Sequence, residues 1–307
     1  MRIVFMGTPD FAVPSLRKLL DAGHEIAGVF CQPDKPQGRG HKLVPPPVKV
    51  LAQEQGLPVF QPKGLRNAEA QEQLRALKPE LIVVAAYGKI LPLEVLELPP
   101  HGCINVHGSL LPKYRGAGPI QWSLLNGETV TGITTMRMAE GIDTGDMLLK
   151  AEIPIGENET AGELFDRLAQ LGGEVLLQTL EELEAGRLNP VKQEESEATH
   201  APMLSKELSM LDFSRAAQEL HNQVRGLSPW PCAETLLQGR RLKVYRSEIV
   251  SLTGGGVPGT LLDAGDFVVQ CGEGQIRLTE VQFEGSRRMP GGDFLRGKRL
   301  SAGEVLG

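Results

Sequence analysis

Cysteine is scarce in this 307-residue sequence. The four cysteines, Cys31, Cys103, Cys232 and Cys271, lie far apart and form no C-x-x-C motif. This spacing supports neither a zinc site nor a disulfide framework, so no metal is expected. Isolated thiols are typical of small core residues in a protein that stays in a reducing compartment.

Long apolar runs are also absent. No stretch approaches the roughly 20 apolar residues that a membrane-spanning helix needs. The opening segment, Arg2–Met6, has the pattern of a buried strand. It lacks the charged start, apolar stretch and cleavage site of a signal peptide. We therefore expect a cytoplasmic protein with no membrane partner.

The common nucleotide-binding motifs are missing as well. The first predicted strand is followed by Gly7-Thr8-Pro9-Asp10-Phe11, which has one glycine where a dinucleotide fingerprint needs three. No G-x-x-x-x-G-K-[S/T] phosphate loop occurs in the sequence. No nucleotide cofactor is therefore expected.

The formal net charge of −6 argues against a general nucleic-acid-binding protein. Basic residues nevertheless cluster in the last quarter of the chain, at Arg240-Arg241, Lys243, Arg287-Arg288, Arg296 and Lys298-Arg299. Such a cluster can hold a polyanion locally. On charge alone, however, a solvated basic surface is the favoured explanation.

The first half of the sequence alternates strand-like and helix-like segments, which predicts an α/β fold with a mostly parallel sheet. The predicted strands are continuous apolar runs, as expected where both faces of a sheet are covered. They are Arg2–Met6, Glu25–Phe30, Leu81–Ala86 and Cys103–Val106, followed by a second group, Thr131–Met138 and Met147–Ile153.

The second half begins with a long amphipathic helix. Thr160-Ala161-Gly162-Glu163 matches a capping box at its start, and Gly186 suits its end. A later helix, Ser214–Arg225, and short glycine-punctuated strands predict a small antiparallel barrel. The expected domains are a catalytic domain at 1–188, a polar linker at 189–205 and the barrel at 206–307.

The densest group of polar residues follows the predicted strand Cys103–Val106. It begins with Asn105-Val106-His107-Gly108-Ser109, at the carboxyl end of a strand, where open α/β sheets bind their ligands. Asn105 and His107 are two residues apart and therefore project to the same side of an extended chain. Asp143 adds a carboxylate on a glycine-flanked turn.

These three side chains suit the direct transfer of an acyl group between two nitrogens. The Asn105 amide can donate to the oxyanion that forms. The His107 imidazole can carry a proton near neutral pH, and the Asp143 carboxylate can orient that imidazole. Each residue alone is more often structural, but the combination favours all three as catalytic residues.

The same motifs resemble the active-site pattern of the 10-formyltetrahydrofolate-dependent formyltransferases. The resemblance implies a Rossmann-like catalytic domain, a linker and an OB-like barrel that helps to hold tRNA. It also implies that Ser109, Leu110, Leu111 and Pro112 contact the folate. The matching stretches are spread along nearly the whole chain: Asn105–Pro112, Asp143 in Gly-Ile-Asp-Thr-Gly, Phe5–Ala12, Gln32–Gly40 and Ser228–Pro231.

Within this family, the sequence is most similar to the members that formylate initiator methionyl-tRNA. The resemblance therefore implies that tRNA as the partner and 10-formyltetrahydrofolate as the formyl donor, and we expect a monomer. Cys232 departs from the family pattern, which commonly has glycine after Trp-Pro. The departure bears only on the local geometry of that turn.

Residues 34–49 form a connection far longer than the ~2–6 residues usual between a strand and a helix. They are rich in lysine and arginine. A passive surface loop would explain this composition. The family resemblance instead favours a clamp on the tRNA acceptor stem, in which Lys35, Arg39 and Lys42 neutralise phosphates.

Three alternatives remain open at this point. A formyltransferase for a small amine, such as glycinamide ribonucleotide or an amino sugar, would have the same catalytic residues but no need of the basic loop. A hydrolase would release formate from the folate, with water replacing the amine. A non-catalytic RNA-binding protein would use the barrel alone, which leaves the polar constellation around His107 unexplained.

Overall fold

The structure is a computed structural model that describes residues 1–37, 42–263, 265–298 and 300–307. It contains two compact units. The first unit comprises residues 1–116, 132–153 and 165–200, and the second comprises residues 117–131, 154–164 and 201–307. Because these units interleave along the chain, the contiguous domains expected at 1–188 and 206–307 stay a prediction.

The regular elements follow in chain order. The helices are α1 (Val13–Asp21), α2 (Pro47–Glu54), α3 (Ala68–Ala76), α4 (Leu93–Leu96), α5 (Pro119–Leu125), α6 (Ala161–Glu184), α7 (Ala217–Leu227) and α8 (Gly291–Lys298). The strands are β1 (Arg2–Gly7), β2 (Glu25–Phe30), β3 (Lys35–Gln37), β4 (Lys42–Val44), β5 (Val59–Phe60), β6 (Leu81–Ala85), β7 (Cys103–His107), β8 (Arg115–Gly116), β9 (Val130–Arg137), β10 (Met147–Pro154), β11 (His200–Ala201), β12 (Ala233–Leu237), β13 (Arg240–Ser251), β14 (Leu261–Asp263), β15 (Val268–Gln270), β16 (Gln275–Phe283) and β17 (Met289–Pro290).

The main sheet confirms the predicted α/β fold. Its strand order in the described residues is β10-β9-β7-β6-β1-β2-β5. The pairs from β5 to β7 are all parallel, and β9 pairs antiparallel with β7. All five residues of β6 and of β7 are buried, as expected for strands covered on both faces.

The strand order reverses at β1, because the chain runs outward through β2 and β5 and then returns to β6 on the other side. Such a reversal opens a crevice at the carboxyl ends of the strands, where α/β proteins bind ligands. Polar bonds join the loops there. Thr8 Oγ1 donates to the Tyr87 carbonyl at 3.1 Å, and so does Gln32 Nε2, also at 3.1 Å. The crevice lies beside β7, which carries Asn105 and His107.

The second unit contains an antiparallel sheet of order β12-β13-β16-β15-β14, with β17 on β16. The last residues of the chain bridge its two edges. The Leu261 amide donates to the Glu304 carbonyl at 2.7 Å, and the Gly307 amide donates to the Leu236 carbonyl at 3.0 Å. The tail therefore connects β14 with β12 and closes the sheet, consistent with the predicted antiparallel barrel.

The long helix has the predicted caps. The Thr160 amide donates to Glu163 Oε2 at 2.9 Å, and the Glu163 amide donates to Thr160 Oγ1 at 3.4 Å. These bonds satisfy backbone donors that a helix start otherwise leaves unpaired. Gly186 follows the helix with a φ of 65°, a left-handed conformation that glycine adopts without strain.

Some local predictions differ from the structure. The expected loop at 34–49 contains the short hairpin β3–β4 and the start of α2. The helix expected from Ser214 begins at Ala217, because Asp212 Oδ1 accepts hydrogen bonds from both the amide and hydroxyl of Ser214, which holds that residue in a turn.

The four cysteines, all in described parts of the chain, are buried and unpaired, which confirms them as core residues. Across the described residues, no helix combines the length and apolarity that crossing a bilayer would require. The same residues contain no group of three or more His, Cys, Asp or Glu side chains arranged to hold a metal ion.

Candidate active site

Asn105 and His107 lie on one face of β7, and both side chains are almost fully buried. Their exposed fractions are 8% and 6%. Within the described part of the protein, the Asn105 amide makes no hydrogen bond with another residue. The Asn105 amide atoms are not among the fully buried side-chain atoms that lack a partner, so they are accessible at the surface of the site. Asn105 is therefore suited to donate to a bound ligand.

His107 lies between two oxygen acceptors. Its Nε2 is 2.9 Å from the Tyr114 carbonyl oxygen, and its Nδ1 is 3.6 Å from Asp143 Oδ2. Because a carbonyl oxygen can only accept, Nε2 carries a hydrogen in this arrangement. A second hydrogen, on Nδ1, would face the carboxylate. The ring can therefore exchange a proton at Nδ1, while the hydrogen bond from Nε2 holds the ring in place.

Asp143 is held by its own backbone conformation and by a backbone donor. Its φ is 52°, in the left-handed region, and the Gly116 amide donates to its Oδ2 at 2.8 Å. Gly145 closes the turn, since a Cβ at that position would lie 1.7 Å from the Arg137 carbonyl oxygen. The glycine-flanked turn seen in the sequence thus brings a carboxylate to His107.

Ser109, Leu110, Leu111 and Pro112, the predicted folate contacts, form a tightly bonded turn. Thr134 Oγ1 donates to the Ser109 carbonyl at 2.7 Å and accepts from the Leu111 amide at 3.1 Å. Lys150 Nζ donates to the Leu111 carbonyl. Of these four residues, Leu110 is partly exposed and the others are buried. Their contact with folate stays a prediction.

A cavity of about 400 Å³ lies in the same unit, and Glu140 connects it to the loop that carries Asp143. Its lining combines the exposed apolar side chains Ile90 and Leu93 with polar and charged side chains. The volume falls within the range of small-molecule sites. The lining residues are Arg66, Gln71, Ile90, Leu91, Pro92, Leu93, Glu94 and Glu140.

The three predicted tRNA contacts belong to the β3–β4 region. Lys35 is exposed on β3, Lys42 begins β4, and Arg39 lies outside the described residues. The base of the hairpin is tied to the fold by Lys49, whose Nζ lies 2.8 Å from Asp34 Oδ1. Hydrogen bonds from Gln61 and Lys49 lower the pKa of Asp34, and the bond from Gln61 has the larger effect.

Sequence reasoning missed two residues beside the site, Arg115 and Gln193. Arg115 Nε donates to Gln193 Oε1 at 2.9 Å, and Gln193 Nε2 donates to the Asp143 carbonyl at 2.7 Å. Gln193 falls in the stretch predicted to be a linker. The sequence pattern of such a stretch carries no information about contacts with distant residues. The only sequence signal was the position of Arg115 just after the motif at 105–112.

The family comparison decides the identity of this fold. The profile described as "Formyl transferase" matches residues 1–180, and the profile "Formyl transferase, C-terminal domain" matches residues 203–299. The chain belongs to the formyl transferase family. This formyl transferase is 53% identical over 309 aligned positions to a protein named methionyl-tRNA formyltransferase from Geobacter sulfurreducens, with 100% of this chain and 97% of that protein covered.

Solved structures of more distant proteins share the fold of this formyl transferase. WlaRD, a sugar 3N-formyl transferase solved in the presence of dTDP and 5-N-formyl-THF, superposes with a TM-score of 0.70 at 20% identity, covering 94% of this chain and 99% of that one. A variant of HypX from Aquifex aeolicus superposes with a TM-score of 0.67 at 19% identity, covering 96% of this chain. This chain spans about half of HypX, 48% of its length.

Proposed function

We propose that this formyl transferase moves the formyl group of 10-formyltetrahydrofolate to the amino group of methionine on initiator methionyl-tRNA. The product, N-formylmethionyl-tRNA, serves translation initiation in the cytoplasm. The observation that carries the proposal is the 53% identity, along the full chain, to a relative named for this reaction. The unpaired Asn105 amide and the contact between His107 and Asp143 supply the chemistry.

The reaction exchanges one carbon–nitrogen bond for another. The methionine nitrogen bonds to the formyl carbon, the bond from that carbon to N10 of the folate breaks, and the proton lost by the amine ends on N10. The Asn105 amide is proposed to donate to the formyl oxygen while negative charge develops there. His107 is proposed to take the amine proton at Nδ1 and return it to the leaving nitrogen.

Asp143 is proposed to stabilise the imidazolium that exists while His107 holds this proton. Its Oδ2 lies 3.6 Å from Nδ1, which is an ion-pair distance. The Gly116 amide, bonded to the same oxygen, keeps the carboxylate from rotating away. A fixed carboxylate beside a catalytic imidazole supports proton transfer without being protonated itself.

The cavity beside the Asp143 loop is the proposed site of the folate. Its apolar wall at Ile90 and Leu93 suits the face of a heteroaromatic ring, and Arg66 suits the negative tail of a folate. Glu140 offers a carboxylate to the amino and ring N–H groups of such a ring. Ser109–Pro112 remain proposed folate contacts from the family resemblance.

The basic residues of the hairpin region are the proposed contacts to the tRNA acceptor stem. Lys35 is exposed on β3, and Arg39 and Lys42 follow it in sequence. Lysine and arginine neutralise backbone phosphates, which makes binding sensitive to salt. A formyltransferase for a small amine would have no use for these residues.

One assay tests the proposal against its alternatives. Purified full-length protein is given 10-formyltetrahydrofolate labelled in the formyl group, with initiator Met-tRNA, glycinamide ribonucleotide, an amino sugar nucleotide or no acceptor. We expect label on Met-tRNA at a kcat/KM of ~10⁴ M⁻¹s⁻¹ or higher, a usual range for enzymes. Faster transfer to a small amine, or release of formate without an acceptor, would overturn the proposed acceptor.

A further inference from the structure

Gln193 joins three backbone and side-chain groups around the Asp143 turn. Its Nε2 donates to the Asp143 carbonyl at 2.7 Å and to the Gly145 carbonyl at 2.8 Å. Its Oε1 accepts from Arg115 Nε at 2.9 Å. All of these atoms lie in the first unit. A single amide thus ties the backbone of the turn to the segment that follows the site motif.

Arg115 sets the direction in which this amide points. A guanidinium can only donate, so the oxygen of Gln193 must face it. The two amide hydrogens then face the carbonyls of the turn. Arg115 is itself fixed, because Glu195 accepts from its two terminal nitrogens at 3.0 and 2.9 Å and its side chain is only 9% exposed.

We propose that Gln193 is a positioning residue that holds Asp143 at His107, and that Arg115 orients its amide for this task. The inference rests on the proposed function for its effect on turnover. Without the two bonds from Nε2, the turn keeps only the Gly116 amide as a described hydrogen-bond donor to Asp143. Fewer hydrogen bonds then hold the Asp143 backbone in its left-handed conformation, which has a φ of 52°.

Gln193→Glu removes the two hydrogen bonds that Nε2 donates and keeps the one that Oε1 accepts. The glutamate has the same shape, keeps an oxygen for Arg115 and replaces the NH₂ group with an acceptor that repels the two carbonyls. We expect kcat for Met-tRNA formylation to fall ~10-fold or more, with the KM of both substrates within about threefold of wild type, since misplacing a catalytic group chiefly slows the chemical step. The thermal midpoint should stay close to that of wild type.

Gln193→Met gives a second variant without the added charge, and it should lose kcat in the same way. Gln170→Glu is the matched control, because Gln170 is exposed on α6 and undergoes the same chemical change. If Gln193 only anchored its segment through Arg115, Gln193→Glu would retain that contact and near-normal kcat. That result, or a kcat loss matched by a lower thermal midpoint in both variants, would overturn the proposal.

Hydrogen exchange gives a readout that does not depend on the acceptor. The Gly116 amide is protected by Asp143 Oδ2 at 2.8 Å. A displaced carboxylate should raise its exchange rate by ~10-fold or more in Gln193→Glu, and leave it unchanged in Gln170→Glu. An inactive wild type would refute the proposed function alone. Unchanged Gly116 exchange would refute the positioning role even if formylation of Met-tRNA were observed.

Discussion

Asn105 and His107 are both buried on β7, but their polar atoms have different surroundings. His107 has an acceptor near each ring nitrogen, whereas the Asn105 amide has no partner among the described residues. The amide atoms are not among the fully buried, unpartnered side-chain atoms, so they remain accessible. An accessible amide with no protein partner can donate to a bound ligand, as the proposed role of Asn105 requires.

We therefore expect Asn105→Ala to separate activity from stability. Its kcat/KM for Met-tRNA should fall by ~10²-fold or more, the scale seen when one oxyanion donor is removed. Its thermal midpoint should stay close to that of wild type, because no protein hydrogen bond among the described residues is lost. Steady-state kinetics and thermal unfolding check the two expectations together.

His107→Ala should lower kcat/KM by a similar ~10²-fold, as expected for a lost acid–base group. It also removes the 2.9 Å bond from His107 to the buried Tyr114 carbonyl, which keeps the longer 3.5 Å bond from Ser109 Oγ, so a small loss of stability is expected. His101→Ala is the matched control, since His101 is exposed just before β7. Near-normal turnover in either site variant, with the fold intact, would contradict the assigned roles.

Asp143→Asn tests charge without changing shape. The new amide oxygen can still accept from the Gly116 amide, so the turn should persist, but the negative charge beside Nδ1 is lost. We expect kcat to fall ~10²-fold or more, because an imidazolium is no longer stabilised by a carboxylate. Near-normal kcat in this variant would reduce Asp143 to a structural residue of the turn.

The sequence identified the residues that are close to one another along the chain and missed those that are not. Asn105 and His107 are two residues apart on one strand, and the glycines around Asp143 mark its turn. Gln193 lies 50 residues from Asp143. Nothing in its polar neighbourhood indicates a partner, since a side-chain hydrogen bond across that separation exists only once the chain has folded.

Among the elements, the hairpin β3–β4 shows most clearly where local pattern fails. Each strand has three residues, and Pro36 lies in the middle of β3, although proline removes a backbone donor and is depleted in strands. The polar bonds at its base appear only in the structure: Lys49 Nζ also donates to Gln61 Oε1 at 2.9 Å, and Gln61 Nε2 donates to Asp34 Oδ1 at 2.8 Å.

This cluster predicts an effect of Lys49 on tRNA binding. Lys49→Met leaves Asp34 with Gln61 alone and loosens the base of the hairpin that carries Lys35. A lost positioning contact of about 1 kcal/mol corresponds to a KM for Met-tRNA raised ~5-fold. The KM for the folate and the kcat at saturating tRNA should hardly change. Initial rates with each substrate varied separately provide the check.

Lys63→Met is the control for this variant, because it removes the same charge from an exposed position in the same unit. If both variants raise the KM for Met-tRNA equally, the effect of Lys49 is one of charge and not of hairpin position. An unchanged KM in Lys49→Met would mean that the cluster has no part in tRNA binding.

Longer elements were predictable for a physical reason. Strands such as β2 and β6 are covered on both faces, so each residue must be apolar and the run is visible in sequence. Helix α8, in contrast, begins with two glycines and was not predicted. It is held by tertiary contacts, since the ring of Phe294 stacks on Phe267 with centroids 5.8 Å apart. Packing of this kind overrides a weak local preference.

At the scale of the whole molecule, the basic residues that cluster in the last quarter of the chain belong to the second unit, which also carries acidic residues. Several clustered arginines pair with carboxylates of that unit, which weakens the case for a free basic surface. The pairs are Arg240 with Glu284, Arg241 with Glu234, Arg288 with Glu280 and Arg296 with Asp293. Exposed pairs of this type add little stability each.

Two other groups of the second unit, His221 and Glu163, have shifted pKa values that make stability depend on pH. Burial lowers the pKa of His221 below its usual 6.5, so stability is lost as the pH falls below about 6.5 and the unfolded chain gains the proton. Burial alone would raise the pKa of Glu163, but hydrogen bonds from Arg246 and from Thr160 outweigh it and lower the pKa to about 2.

Glu163→Gln should therefore remove a part of the acid sensitivity. A carboxyl with a folded pKa of about 2 and an ordinary value of 4.5 contributes stability above pH 4.5 and loses it as the pH falls from 4.5 toward 2. Because the Glu163 side chain is 47% exposed, solvent screening limits this contribution to ~1 kcal/mol or less.

The measurement is urea unfolding of wild type and Glu163→Gln at several pH values from 7 to 3.5. Both proteins keep His221 and should lose stability together below about pH 6.5. The advantage of wild type over the variant should be constant above pH 5 and should shrink below pH 4.5. Glu273→Gln, at an exposed position outside this network, should show no such convergence. A wild-type advantage that stays constant down to pH 3.5 would show that Glu163 titrates alike in the folded and unfolded chain, and that its bonds to Arg246 and Thr160 do not stabilise the start of α6.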